Sequence, residues 1–327
     1  MSQQDRIAAV GAGRMGRGIA IAFAYAGHDV CLVDLKPRSE ADFATLRDAA
    51  RSEIAATLDM MAGFGMLDRS ECPAVAARVS YHPADACAEP LASAAVIFEG
   101  VPETMEAKSD AFGIISEHAS ATAIVASTTS TILSNDLQPL VTNPERFLNA
   151  HWLNPAFLVP LVELSPGGST DPKVTERLKG LLEEIGKVPV VCSASPGYIV
   201  PRIQALAMNE AARMVEEGVA TAEDIDKATK YGFGFRFAVL GLLEFIDWGG
   251  GDILYYASRY MVGATGEDRF RSPDIIETNM KEGRIGLRSR EGFLDYADMD
   301  VPEYQRDRLS AFVAMLRHLD KMPARKG

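Results

Sequence analysis

The apolar positions change rhythm once along the chain. Up to about residue 192 they form short runs separated by longer helical stretches. Residues 6–10 read as a buried strand. A glycine-rich turn, Gly11 to Gly16, follows, and then an apolar helix through Ile19, Phe23 and Tyr25 that stops at Gly27. Residues 30–35 form a second strand, and residues 39–65 a helix rich in Ala, Leu and Met. Further strands are expected at 79–82, 94–99, 123–127, 147–151, 161–165 and 188–192, with helices at 103–118 and 171–185. Strand and helix alternating in this way predict a parallel α/β sheet. After Ser193-Ala194-Ser195-Pro196-Gly197 the strand signal fades. Ile203, Leu206, Ala207, Ala211 and Met214 then keep helical spacing, Thr221 and Asp224 mark a helix start, and residues 302–320 form the last helix. The expected architecture is an N-terminal Rossmann-type, doubly wound α/β sheet (1–193) followed by a smaller all-α domain (194–327).

Composition narrows the partners. The net charge is −12 and no long basic run occurs, which argues against nucleic acid and anionic membrane. No apolar run is long enough to span a membrane. The polar residues 1–5 lead directly into the first strand and do not resemble a signal peptide, so a cytoplasmic location is expected. Cys31, Cys72, Cys87 and Cys192 form no CxxC and no Cys/His cluster, consistent with reduced thiols and no metal site.

Gly11-Ala12-Gly13-Arg14-Met15-Gly16 matches GxGxxG between a strand and a helix. Gly11 suits the tight turn, Gly13 the approach of backbone N–H groups to a pyrophosphate, and Gly16 close helix–strand packing. The helix N-terminus adds partial positive charge. Asp34, 23 residues after Gly11, ends the second strand. A carboxylate there accepts from both ribose hydroxyls and repels a 2′-phosphate, which favours NAD over NADP. Lys36 and Arg38 nearby weaken that preference slightly.

A second constellation follows. His151 and Glu163 stand 12 residues apart, in HWLNP and LVEL, on two adjacent strand candidates. Folded back on each other, those strands bring the two side chains together, and a carboxylate beside His makes it a stronger, better oriented base. A strand-end His with only a structural role is the competing reading.

These motifs resemble the L-3-hydroxyacyl-CoA dehydrogenases over nearly the whole chain. Besides the glycine turn and Asp34, the resemblance rests on several short motifs. Val101-Pro102-Glu103 is followed by Lys108, and ASTTS (126–130) stands where the family usually has ASNTS. HWLNP is similar to HFFNP, LVEL to LVEV, SPGYIV (195–200) to TPGFIV, and REGFLDY (290–296) to G-x-GFYDY. The resemblance implies a reversible NAD-dependent oxidation of a secondary alcohol, of the kind found in fatty acid metabolism, by a dimer-forming enzyme whose second domain closes the cleft. It implies His151 as general base, Glu163 polarising it, Ser130 hydrogen-bonded to the reacting oxygen, and Asn154 orienting the His loop and substrate. Glu103 and Lys108 are implied near the nicotinamide and its ribose. Ser130 as a cap of a helix near Ser134, Glu103 as a helix cap and Lys108 as a solvated side chain are the plain alternatives.

Three departures concern the substrate. Pro201 stands where the family has Asn, a position tolerable in the first turn of a helix. Residues 37–107 contain no lysine, although the family's helical arm contributes a basic contact to CoA there; Arg47 and Arg51 are substitutes or solvated surface residues. GFGFRFA (232–238) replaces GAGYPMG, and its Arg236 is similar to relatives acting on free hydroxy acids, the L-gulonate and carnitine dehydrogenases. Arg236 then binds a substrate carboxylate, or else pairs with Glu244 or Asp247. Three readings stand: a 3-hydroxyacyl-CoA dehydrogenase, a free hydroxy acid dehydrogenase, and a non-catalytic NAD-binding structural or sensor protein.

Overall fold

The computed structural model describes residues 5–324, so the polar residues 1–4 of the N-terminal stretch and the end of the C-terminal tail lie outside the described residues. It divides into two compact units, Met1–Ala207 and Met208–Gly327.

The first unit carries one eight-stranded sheet in the order β3-β2-β1-β4-β5-β6-β7-β8. Its strands are β1 (Ile7–Val10), β2 (Val30–Asp34), β3 (Val79–Pro83), β4 (Val96–Glu99), β5 (Ile124–Ser127), β6 (Phe147–Trp152), β7 (Leu161–Pro166) and β8 (Val188–Val191). The first six are mutually parallel; β7 turns back antiparallel to β6, and β8 is parallel to β7. The central strands read as continuous apolar runs because both their faces are covered. Ile7 and Ala9 of β1 point into one core with Val96 and Phe98 of β4, whereas Ala8, Val10 and Ile97 point into the other. The first core is closed by α1 (Arg14–Tyr25), α2 (Glu40–Gly63) and the later α7; the second by α4 (Ala88–Ser93), α5 (Met105–His118) and α6 (Ser134–Leu137). Between α2 and α4 lies the short α3 (Cys72–Ala76), and α7 spans Pro172–Glu184.

Helix α2 touches the core through a single stripe, Ala50, Ile54, Leu58 and Met61. At about 1.5 Å per residue it is an extended arm with most of its surface in solvent. Short helices α3 and α4 were not expected from the sequence, since each is too brief to show a helical period; α6 lies where a short helix near Ser134 was considered. Helix α8 (Val200–Glu216) begins directly after the SPGYIV turn, and Pro201 falls in its first turn, where no intrahelical bond is lost.

The second unit is helical. It contains α9 (Ala222–Ala228), a π-helical segment Thr229–Gly234, α10 (Phe235–Phe237), α11 (Leu242–Gly249), α12 (Gly251–Thr265), α13 (Asp274–Glu282) and α14 (Val301–His318). Thr221 caps α9 by accepting from the Asp224 amide, as its sequence position suggested. Buried Asp247 of α11 accepts from the amides of Phe293 and Leu294 and from the Tyr296 hydroxyl, tying down the REGFLDY turn. All four cysteines are free. Among the described residues no helix is long and apolar enough to cross a membrane, and no His/Cys/Asp/Glu group is arranged to hold a metal.

Candidate active site

The carboxyl ends of the parallel strands gather the chemistry-bearing residues on one edge of the sheet, where open α/β sheets bind ligands. Gly11 follows β1, Asp34 ends β2, Glu99 ends β4, Ser130 follows β5, and His151 lies near the end of β6.

A cavity of about 610 Å³ opens there, lined by Gly11, Ala12, Gly13, Asp34, Lys36 and Arg38 among others. Gly11 has φ +101°, and a Cβ on it would meet the Gly100 carbonyl oxygen at 2.6 Å. A Cβ on Gly16 would lie 2.1 Å from the Gly11 carbonyl oxygen, so helix and turn pack here with no room for a side chain. Over Gly13 nothing lies within 4 Å of an added Cβ. Helix α1 has Gly13 as its N-cap and no side-chain cap, which leaves its first amides (Arg14, Met15, Gly16) without side-chain acceptors. Open backbone, orphan amides and a helix dipole fit a dinucleotide pyrophosphate. Arg14 is exposed and Met15 packs against the core, so these two offer amides to the site. Asp34 is buried, lines the cavity and accepts a hydrogen bond from Arg38. A carboxylate so placed fits a ribose diol, and the residues present therefore suit NAD.

On the neighbouring strands, His151 and Glu163 are direct cross-strand partners in the β6–β7 register. His151 Nδ1 lies 2.8 Å from Glu163 Oε2. The other oxygen, Oε1, accepts from the amides of Ile199 (2.9 Å) and Val200 (2.8 Å). Two consecutive left-handed residues, Gly197 (φ +76°) and Tyr198 (φ +45°), turn the chain so that these amides converge on the carboxylate. Glu163 is fully buried and His151 nearly so. An acceptor at Nδ1 selects the tautomer with the proton there, and Nε2 is then the acceptor nitrogen.

Ser130 is exposed, its amide donating to Glu103 Oε1 at 3.1 Å. It does not cap α6, whose N-cap is Leu133. Nor is Glu103 the cap of α5; Thr104 is, accepting from the Ala107 amide. Glu103 instead holds the loop after β5, accepting from the hydroxyls of Thr129 and Thr131 and from the amides of Ser130 and Thr131. Burial pushes the Glu103 carboxyl up, but these hydrogen bonds and the Lys108 ammonium outweigh it and hold it below the usual carboxylate range. Asn154 is exposed in the loop after β6.

Lys108 is fully buried, which overturns the solvated alternative. Its ammonium is 3.0 Å from both Glu99 oxygens, 3.4 Å from Ser127 Oγ and 3.6 Å from Glu103. A buried ammonium needs such partners, and Glu99 supplies them. Glu99 was missed in the sequence although it ends a buried strand as Asp34 does. Lys187 was missed too: it is buried without a carboxylate and donates to the carbonyls of Ala156 (2.7 Å) and Val159 (2.9 Å), pinning the loop that carries Asn154. Burial holds its ammonium below the usual lysine range.

Arg47 pairs with its neighbour Asp48, and Arg51 sits 5.7 Å from the Tyr81 ring centroid, so both are engaged on the arm's own surroundings. Arg236 is exposed, with its guanidinium 5.5 Å from the Phe245 ring centroid. It has no ion pair among the described residues. The two acids considered as partners are otherwise occupied: Glu244 accepts from Gly241 and Tyr304, and Asp247 from the REGFLDY turn.

The model of the 3-hydroxyacyl-CoA dehydrogenase NAD binding domain matches residues 6–195, and that of the C-terminal domain matches residues 197–296. The chain belongs to the 3-hydroxyacyl-CoA dehydrogenase family. It is an NAD-dependent dehydrogenase acting on a CH–OH group. Relatives include 5-formyl-3-hydroxy-2-methylpyridine 4-carboxylate 5-dehydrogenase of Mesorhizobium japonicum, 29% identical over 96% of this chain and 98% of that one. A 3-hydroxybutyryl-CoA dehydrogenase of Clostridioides difficile is 28% identical over 89% and 99%. The crystal structure of a 3-hydroxyacyl-CoA dehydrogenase from Archaeoglobus fulgidus superposes with a TM-score of 0.78, at 30% identity, covering 97% of this chain and 100% of that one.

The two glycines of the turn separate packing from binding. Gly16→Ala is expected to cost roughly 1–3 kcal/mol of stability by overpacking, read as a lowered midpoint in thermal unfolding. Gly13→Ala should leave that midpoint nearly unchanged and weaken NADH binding, read by fluorescence titration.

Proposed function

We propose that this dehydrogenase reversibly oxidises the 3-hydroxyl of a 3-hydroxyacyl-CoA to the 3-keto compound, with His151 as general base. The observation that carries the reading is the buried hydrogen bond from His151 Nδ1 to Glu163, which leaves Nε2 for the substrate hydroxyl. His151 takes the hydroxyl proton at Nε2, and Glu163 stabilises the imidazolium that results. Ser130 donates to the reacting oxygen, and Asn154 orients the loop and the substrate. Glu103, held by Lys108 and the Thr129–Thr131 loop, borders the nicotinamide side of the site. Bound NAD supplies the acceptor for the hydrogen that leaves the alcohol carbon with its electron pair. Residues 1–193 serve as the NAD-binding domain, and the helical domain, 194–327, dimerises. The thioester reading rests on relatives such as the Clostridioides difficile enzyme.

One observation favours a second reading, a free hydroxy acid as substrate. Arg236 is an exposed guanidinium on an aromatic ring with no acid paired to it among the described residues. It adjoins a π-helical segment, a local geometry frequent at functional sites. The relative from Mesorhizobium japonicum acts on a pyridine carboxylate by its name.

A homodimer fits the apolar surface of the chain. Amphipathic α8 buries no residue and exposes Leu206 and Met208, while Tyr256 and Tyr260 are exposed on α12.

His151→Ala should reduce kcat by about 10²–10⁴-fold, the usual contribution of general acid–base catalysis, with NADH affinity nearly unchanged; near-normal turnover would remove the base. Side-by-side assays with L-3-hydroxybutyryl-CoA and free L-3-hydroxybutyrate, followed as NADH formation, separate the two substrate readings. Arg236→Met should raise KM for a free acid far more than for a thioester, and equal effects would remove the carboxylate role. Light scattering at micromolar concentration should give twice the mass of one chain; a monomer would exclude the dimer.

A further inference from the structure

Tyr198 sits at the meeting point of the dyad and the Ser130 loop. Its ring is stacked on the His151 imidazole, with centroids 5.0 Å apart and planes 4° from parallel. Its hydroxyl donates to the Thr129 carbonyl at 2.9 Å and accepts from Asn149 Nδ2 at 3.0 Å. Asn149 lies on β6, two residues before His151, and its amide also donates to the Ile132 carbonyl. Thr129 immediately precedes Ser130. The two residues after Tyr198 give their amides to Glu163. One side chain and its flanking backbone therefore touch the strand of the base, the partner of the base and the loop of the serine.

The residue is held in an unfavourable conformation to do this. Tyr198 has φ +45°, uncommon for a residue with a Cβ, and it is buried. Burial also pushes its phenol well above the ordinary value, so the group is a neutral donor. The hydroxyl is what distinguishes it from the phenylalanine of the TPGFIV motif.

We propose that Tyr198 is a positioning residue: its ring fixes the plane of the His151 imidazole, and its hydroxyl ties the Ser130 loop to β6. The inference rests on the reading of His151 as the base. The ring face blocks tilting of the imidazole about its bond to Glu163, so Nε2 keeps one direction. The hydroxyl bridge fixes the distance between that nitrogen and the Ser130 loop. Both are needed if one oxygen of the substrate is to meet His151 and Ser130 together.

Two variants divide the roles. Tyr198→Phe keeps the ring and removes the bridge; Tyr198→Leu removes both. Active sites are counted by NADH titration, and kcat per site is measured in water and in deuterium oxide. Misplacement of reacting groups by about 1 Å costs roughly 100-fold, so Tyr198→Leu should lose about that much in kcat and Tyr198→Phe roughly tenfold. NADH affinity should stay within about threefold, and the solvent isotope effect should rise as proton transfer becomes more limiting. A merely structural role lowers the number of sites and leaves per-site kcat and the isotope effect unchanged; that result overturns the proposal. So does a loss of NADH affinity parallel to the loss of kcat. If Tyr198→Leu does not fold, Tyr198→Phe decides: an unchanged per-site kcat overturns the bridge. His151→Ala is measured alongside. Retained turnover there overturns the base itself, whereas an inactive His151→Ala with unaffected Tyr198 variants overturns only the positioning.

Discussion

A fully buried carboxylate organises the far end of the sheet in the first unit. Glu163 has no access to water, and an ionised group in such a place is tolerable only when its lone pairs are met by donors. Three donors meet it, from two stretches of chain: the imidazole of β6 and the amides of Ile199 and Val200. Satisfying them requires β7 to run back along β6 in one register, since a slip of one residue would turn Glu163 to the opposite face. It also requires the chain after β8 to turn sharply through Gly197 and Tyr198 before α8 begins. The start of α8 is thus set by the same charge that holds the His151 imidazole.

The sheet edge repeats this logic with other acids. Glu99 is neutralised by Lys108 in the interior, Glu103 by hydroxyls and amides of a loop, and Asp34 by Arg38. Four carboxylates near one rim would repel one another in a dry site. Each is instead given its own donors, so negative charge is distributed along this edge of the sheet.

Much of this was legible in the residues. The central strands of the first unit stand out because burial on two faces demands unbroken apolar runs, and the glycine turn because a tight turn followed by a helix needs those glycines. His151 and Glu163 could be paired on paper, since adjacent strands joined by a short loop turn back on each other. The burial of Lys108 could not be read: whether a lysine is solvated or interior depends here on Glu99, nine positions away in sequence and reached only through folding. Lys187 escaped notice for the same reason, its partners being backbone carbonyls that no sequence pattern announces. The left-handed backbone of Tyr198 is likewise invisible in a residue that usually avoids it.

Asp34 lies beside two basic side chains, Lys36 and Arg38, on the rim of the nucleotide cavity. Arg38 is turned onto that carboxylate. The acid thereby offsets a cation at the cavity rim, so a neutral residue in its place would leave this corner of the cavity positive.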